Sequence, residues 1–297
     1  MKKKVMKEST AWQIGAHTVM IIGSLLAILP FILLVIASFT DNQTALVNGY
    51  SFTPEKWSLE AYQYIASEWA TIGRAYLMTI LVTVIGTALS LVITSTFAFA
   101  VSNDKLPGHK ILMFLCIFTM LFNGGLVASY YVYSNIFHIK NTIWALIVPM
   151  FLMSPFNVVL VKNYFSNSIS PSILEAARMD GAGVFAVFTK IVMPLSVPIM
   201  ATVGLMTAIS YWNDWTNGLY YLTENGGSQY YTIQLVLNRI NENINFLANN
   251  SDVAAKAAQQ LPSTTMRMAI AVIGILPIMC AYPFFQKYFV KGITLGG

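Results

Sequence analysis

The chain has 297 residues, 56% of them hydrophobic and only 10% charged. Soluble domains carry roughly 25% charged residues, so this deficit excludes an ordinary water-soluble globule and points to a membrane. The net charge of +5 is scattered over several segments and forms no basic stripe, which excludes a nucleic-acid footprint.

The charges are segregated along the chain. Six intervals, 9–40, 75–103, 111–139, 141–161, 191–213 and 268–286, contain no Asp, Glu, Lys or Arg, and no other uncharged interval exceeds 14 residues. A helix needs about 20 apolar residues to cross the ~30 Å hydrocarbon layer. Backbone groups there must satisfy one another, so each span is predicted to be a helix. The predicted cores are 16–38, 76–100, 111–133, 142–161, 191–212 and 267–286. The fold class expected is therefore an all-α membrane protein of six transmembrane helices. A large soluble helical bundle is the reading this displaces.

The first segment, MKKKVMK, precedes an apolar run too long for a signal peptide and with no small-residue cleavage site after it. It is predicted to be a cytoplasmic tail, 1–15, leading into an uncleaved first span. With the N-terminus inside, the inner segments hold 11 Lys and Arg against 6 in the outer ones, so both termini are expected in the cytoplasm. The first outer loop, about 39–75, carries Trp57, Tyr62, Tyr64 and Trp69, with Leu59, Tyr62 and Ile65 recurring every third residue. Either a short helix lying on the bilayer or a solvated loop fits that pattern. The next inner loop, Ser102–Lys110, turns at Pro107-Gly108. Cys116 and Cys280 both fall inside predicted spans, as small buried hydrophobes rather than a disulfide or metal framework. Prolines at 30, 149, 155, 194, 198, 277 and 283 and the pair Gly124-Gly125 mark places where spans kink or pack closely.

The inner loop at 162–190 contains EAARMDGAGVFAVFTKIVMP, from Glu175 to Pro194. Ser170-Pro171 is a helix start. Ile173, Leu174 and Ala177 share one helical face, and Gly181 suits a left-handed stop after Asp180. A second short helix carries Phe185 and Phe188 before Pro194. The expected unit is helix, turn, helix. Ala176 and Ala177 keep the first helix thin, and Glu175 offers an anion to a basic partner. An amphipathic linker lying on the bilayer is the plain alternative.

At the end of the fifth span, Tyr211, Trp212, Asn213, Trp215, Asn217, Tyr220 and Tyr221 cluster, and Asn123 stands in the third span. Aromatic faces and amides suit a sugar. They equally suit an interfacial belt or a docking surface, and Asn123 either lines a pathway or bonds another helix. The outer loop Asp214–Pro262 is polar and Asn-rich, and Tyr230–Leu237 within it reads as either a short helix or a strand. No G-x-x-x-x-G-K-[ST], H-E-x-x-H or G-x-S-x-G occurs, so the residues give no basis for an ATPase, a zinc protease or a serine hydrolase. The spans hold no mid-membrane acid or base for ion coupling, only His17 and Arg267 near their edges, which counts against a stand-alone secondary transporter.

Glu175, Ala176, Ala177, Asp180, Gly181, Ala182, Phe188, Ile191 and Pro194, at their spacing and before the penultimate span, resemble the EAA loop of ABC importer permeases. Met193 stands where that family often has leucine. NTIWALIVP (141–149), YWNDWTNGLYYL (211–222) and FNGGL (122–126) are similar to segments of its binding-protein-dependent carbohydrate branch, of the maltose-type second permease. The similarity runs over about 70–290. It implies a type I ABC importer transmembrane domain in a prokaryotic plasma membrane. It also implies a heterodimer with a sister permease, two cytoplasmic ATPases that bind ATP and Mg, and an extracellular solute-binding protein. No cofactor is expected on this chain. The coupling residues it implies are Glu175, Ala176, Ala177, Asp180, Gly181, Ala182, Phe185 and Phe188. A non-sugar solute remains the main alternative within the family.

Overall fold

The computed structural model describes residues 10–249 and 263–294, so most of the expected tail 1–15 and the end of the loop at 250–262 lie outside the described residues. Helices dominate, and the one β-bridge among the described residues joins Thr40 and Trp57. The chain divides into two compact units. One takes the described parts of Met1–Trp69 and Asn241–Leu276, the other Ala70–Ile240 with the described part of Pro277–Gly297.

The first unit opens with α1 (Thr10–Ser38), which is apolar on every side and exposed all round, as at Trp12, Val19, Met20 and Leu26. Such a helix needs lipid or another chain against it. α2 (Asn42–Asn48) is capped by Asp41, whose carboxylate accepts from the Thr44 N–H at 3.2 Å and pairs with Lys56 at 3.0 Å. α3 (Glu60–Ser67) is the short helix allowed by the 57–69 pattern: Ile65 is buried, Tyr62 bonds Ser38 at 2.8 Å and Leu59 stays exposed.

α4 (Trp69–Val101) is a continuous span. The predicted third span is broken: α5 (His109–Leu121) and α6 (Gly125–Tyr131), the latter prolonged by a wide turn to Ile136, meet at 119°. Gly125, at φ 79°, makes the corner, and the Asn123 Oδ1 accepts its N–H at 2.8 Å. The predicted fourth span is broken too. α7 (Trp144–Ile147) stops at Pro149, Met150 takes φ 67°, and α8 (Pro155–Ser168) restarts with Pro155 in its first turn.

After α9 (Pro171–Met179) and α10 (Val184–Val187), α11 (Met193–Leu195) ends at Ser196, and the chain bends by 79° into α12 (Val197–Trp212). α13 (Thr216–Tyr221) and α14 (Glu224–Gly227) follow. The undecided stretch at 230–237 resolves as helix: α15 runs Ile233–Asn249. α16 (Ser263–Thr294) carries Pro277 and Pro283 inside it. Cys116 is buried as expected, whereas Cys280 is exposed. Among the described residues two single helices are long and apolar enough to cross a membrane, and two bent pairs qualify if each counts as one span. Asparagine-glycine and proline breaks divide what the charge map presents as uniform intervals.

Two apolar clusters lie in the second unit. One gathers Ala98, Val158, Val161, Phe165, Ala177, Val187, Val192 and Val203; the other gathers Val82, Leu146, Ile147, Tyr211, Leu222 and Leu235.

Candidate functional site

The segment from Ser170 to Pro194 folds as an elbow. Pro171 pre-sets the first turn of α9, and the helix ends where Gly181 takes φ 81°. The Ala182 N–H donates to Ala177 O at 2.9 Å and the Gly181 N–H to Arg178 O at 3.1 Å, satisfying carbonyls the helix end leaves open. Nothing lies within 4 Å of a Cβ added at Gly181, so conformation, not space, calls for glycine there.

The elbow has an anchored side and an open side. Ala177 and Val187 are buried in the first cluster, with Leu174, Ala182 and Phe188 packed against it. Phe188 lies 5.1 Å from Phe99 of α4. On the open side, Glu175, Ala176 and Asp180 are exposed, and so are Met179 (88%), Val184 (74%) and Phe185 (78%). A short hinge with three large apolar side chains in solvent beside acids is a docking face. The spacing reading anticipated Ala177 inside and Glu175 outside; Ile173, expected on the buried face, is 44% exposed.

At the other end of α12 the candidate residues separate into tied and open groups. Tyr211 is buried, its hydroxyl donates to Ile147 O at 2.7 Å, and its ring lies against Gly86, where an added Cβ would come within 2.5 Å of it. Asn217 is buried, and its Nδ2 donates to Pro149 O at 3.4 Å. The Ser90 hydroxyl donates to Phe151 O at 3.1 Å. Three carbonyls near the break between α7 and α8 are thus taken by side chains of α12, α13 and α4. Non-helical backbone at membrane depth is tolerated when it is held in this way. Tyr211 and Asn217 therefore hold the scaffold, with their polar groups engaged.

Tyr221 is buried and stacks on Tyr130 at 5.8 Å. Asn213, Trp215 and Tyr220 are exposed. Trp212 is half-buried beside Tyr76 and lines a groove of about 530 Å³ with Ile80, Thr83, Thr87 and Gly204. That groove is apolar; the buried Thr83 and Thr87 hydroxyls have no partner in it. Asn123 belongs to the corner between α5 and α6, apart in sequence from the α12 group. Asp214 caps α13, accepting from the Thr216 and Asn217 N–H groups at 3.0 and 3.2 Å, and burial pushes its pKa up.

Sequence reading missed the loop that closes this end. Asn141, at φ 58°, donates its N–H to Tyr221 O at 3.0 Å, and its Oδ1 accepts from the Thr223 N–H at 2.7 Å. Gly226 and Gly227 are glycine because Cβ atoms there would meet the Asn141 amide at 2.8 and 2.7 Å. The Asn141 and Gly226-Gly227 pair was the available signal, but 85 residues separate its members.

Residues 89–295 match the family model described as "Binding-protein-dependent transport system inner membrane component". The chain is 36% identical over 273 residues to the polygalacturonan/rhamnogalacturonan transport system permease protein YtcP of Bacillus subtilis, covering 92% of this chain and 93% of that one. It is 26% identical over 280 residues to the arabinooligosaccharides transport system permease protein AraQ of Halalkalibacterium halodurans, covering 92% and 91%. A solved bacterial ABC transporter for import of the acidic polysaccharide alginate contains a chain that superposes with a TM-score of 0.78 at 29% identity, covering 94% of this chain and 96% of that chain.

Proposed function

The chain belongs to the family of binding-protein-dependent transport system inner membrane components, and from that premise we propose that it is one permease of an ATP-driven oligosaccharide importer. Family membership makes it a multi-pass membrane protein and a transport component rather than a catalytic ATPase. The relatives with sugar-polymer and oligosaccharide substrates support the choice of solute class.

In this reading a sister permease, two ATPases and an external binding protein complete the assembly, and ATP and Mg bind only to the ATPases. The 162–190 loop faces the cytoplasm. The observation that carries the mechanism is the two-sided elbow: Ala177 and Val187 locked into the core, Phe185 and Met179 in the open. An ATPase gripping the open side would move the anchored side with it, because packed cores transmit displacement. ATP-driven closure of the ATPases then swings the permease pair from inward-facing to outward-facing, and solute passes from the binding protein.

The test is affinity purification of the tagged chain from mild detergent. A sister permease and an ATPase should co-purify, and Phe185→Asp should release the ATPase while the sister permease stays. Recovery of the chain alone, with solute uptake intact, would refute the reading.

A further inference from the structure

One cation in the second unit has no role in that scheme. Lys140, between α6 and α7, folds back so that its Nζ donates to the Tyr130 hydroxyl at 2.7 Å and sits 5.4 Å from the centre of that ring. Tyr130 is fixed by its stack on buried Tyr221, which Tyr133 meets edge-on at 5.9 Å. The Asn141 bonds to Tyr221 and Thr223 hold the adjoining backbone. Phe137, 57% exposed, lies 5.9 Å from Tyr133 and extends the aromatic surface.

The ammonium is half-buried, yet no carboxylate among the described residues pairs with it, whereas Lys56 and Arg239 pair with Asp41 and Glu224. A charge partly withdrawn from water ordinarily has an acid beside it. A phenol and a ring face offset only part of the lost hydration. Two of the three ammonium hydrogens remain for an incoming acceptor.

We propose that Lys140, with the shelf of Tyr130, Tyr133 and Phe137, recognises the carboxylate of a uronic-acid residue, so that the imported oligosaccharide is an acidic one. The inference rests on the oligosaccharide reading and narrows it. A pyranose offers an apolar C–H face to the shelf while its carboxylate meets the ammonium. A neutral sugar would leave the charge idle, and an acidic side chain of a docking protein would leave the aromatic face idle. A uronosyl unit uses both.

The test uses the complete importer in proteoliposomes. The probes are di- to tetrauronides of galacturonate, mannuronate and guluronate, each beside its carboxyl-reduced counterpart. The wild-type complex should take up at least one uronide in preference to its reduced form. Lys140→Gln should lower that preference by about tenfold, as loss of a partly exposed charge partner would. Lys140→Arg should keep most of it, and serves as the readout should the glutamine variant fail to assemble.

An equal fall for acidic and reduced forms would assign Lys140 to the scaffold or to binding-protein docking and overturn the proposal. So would uptake of neutral oligosaccharides only, with the broader reading left standing. If no oligosaccharide of either kind enters, the broader reading fails and takes this one with it.

Discussion

Tyr211 shows how a residue that reads as a ligand contact becomes a structural tie. Aromatic and hydroxylated, near the end of an apolar run, it has the chemistry of a sugar platform. The structure instead spends its hydroxyl on Ile147 O and its ring on Gly86 and Phe151. Tyr211→Phe leaves a buried carbonyl without its donor and should cost about 1–3 kcal/mol. Gly86→Ala drives a methyl into the ring and should cost a similar ~1–3 kcal/mol. Because both act on one contact, the double variant should lose less than the sum; additive melting shifts in detergent would disprove the coupling. Asp41 makes a pH-dependent prediction. The Lys56 ammonium, and then the Thr44 amide, hold its carboxyl below the usual carboxylate range. Its contribution is therefore present at neutral pH and is lost as pH falls below about 4 through the depressed value. Lys56 is 69% exposed, so the loss should be about 1 kcal/mol at most and smaller at high salt. Asp41→Asn should flatten the acid limb of the melting-temperature profile; an unchanged acid limb would show that the pair contributes nothing.

At the scale of elements, the elbow at 171–188 was legible because its signals are local. Proline at the first turn, an alanine pair, a glycine stop and a second short apolar helix all lie within 18 residues. Since Gly181 has open space around it but a φ of 81°, shape should matter more than size. Gly181→Asn, which tolerates the left-handed region, should keep transport near wild type, while Gly181→Val should lose at least about 1 kcal/mol in the turn and uncouple uptake from ATP hydrolysis. Equal behaviour of the two variants would remove conformation as the reason for glycine. The breaks in the third and fourth intervals were less legible. Charge gaps report what the segment avoids, not whether its backbone is continuous. Pro149 hinted at the second break, but its tolerance depends on Ser90, Tyr211 and Asn217, which come from three other helices. Long-range hydrogen bonds of that kind leave no period in a sequence. Sorting Asn217 from Asn213 depended on the same information: neighbours in the chain, one is buried against a broken helix and the other is exposed.

For the whole molecule, the orientation inferred from 11 inner against 6 outer basic residues and the role of the elbow stand or fall together. The positive-inside bias puts residues 162–190 in the cytoplasm and residues 213–227, with Lys140, outside. If that assignment were reversed, an intracellular ATPase would have no access to Phe185, and Lys140 would meet solute only after transport. The exposed positions let the two ends be labelled separately. Met179 is 88% exposed on the elbow, and Tyr220 is 38% exposed at the opposite end of α12. In a background carrying Cys280→Ser, with Cys116 left buried, Tyr220→Cys should react with a membrane-impermeant maleimide in intact cells. Met179→Cys should react only after the membrane is opened, and assembly with the ATPase should then protect it. The protection matters most, because an inward-facing but idle loop would label equally well with and without the ATPase. Labelling of Met179→Cys in sealed cells would invert the molecule, and with it the direction in which force and sugar must travel.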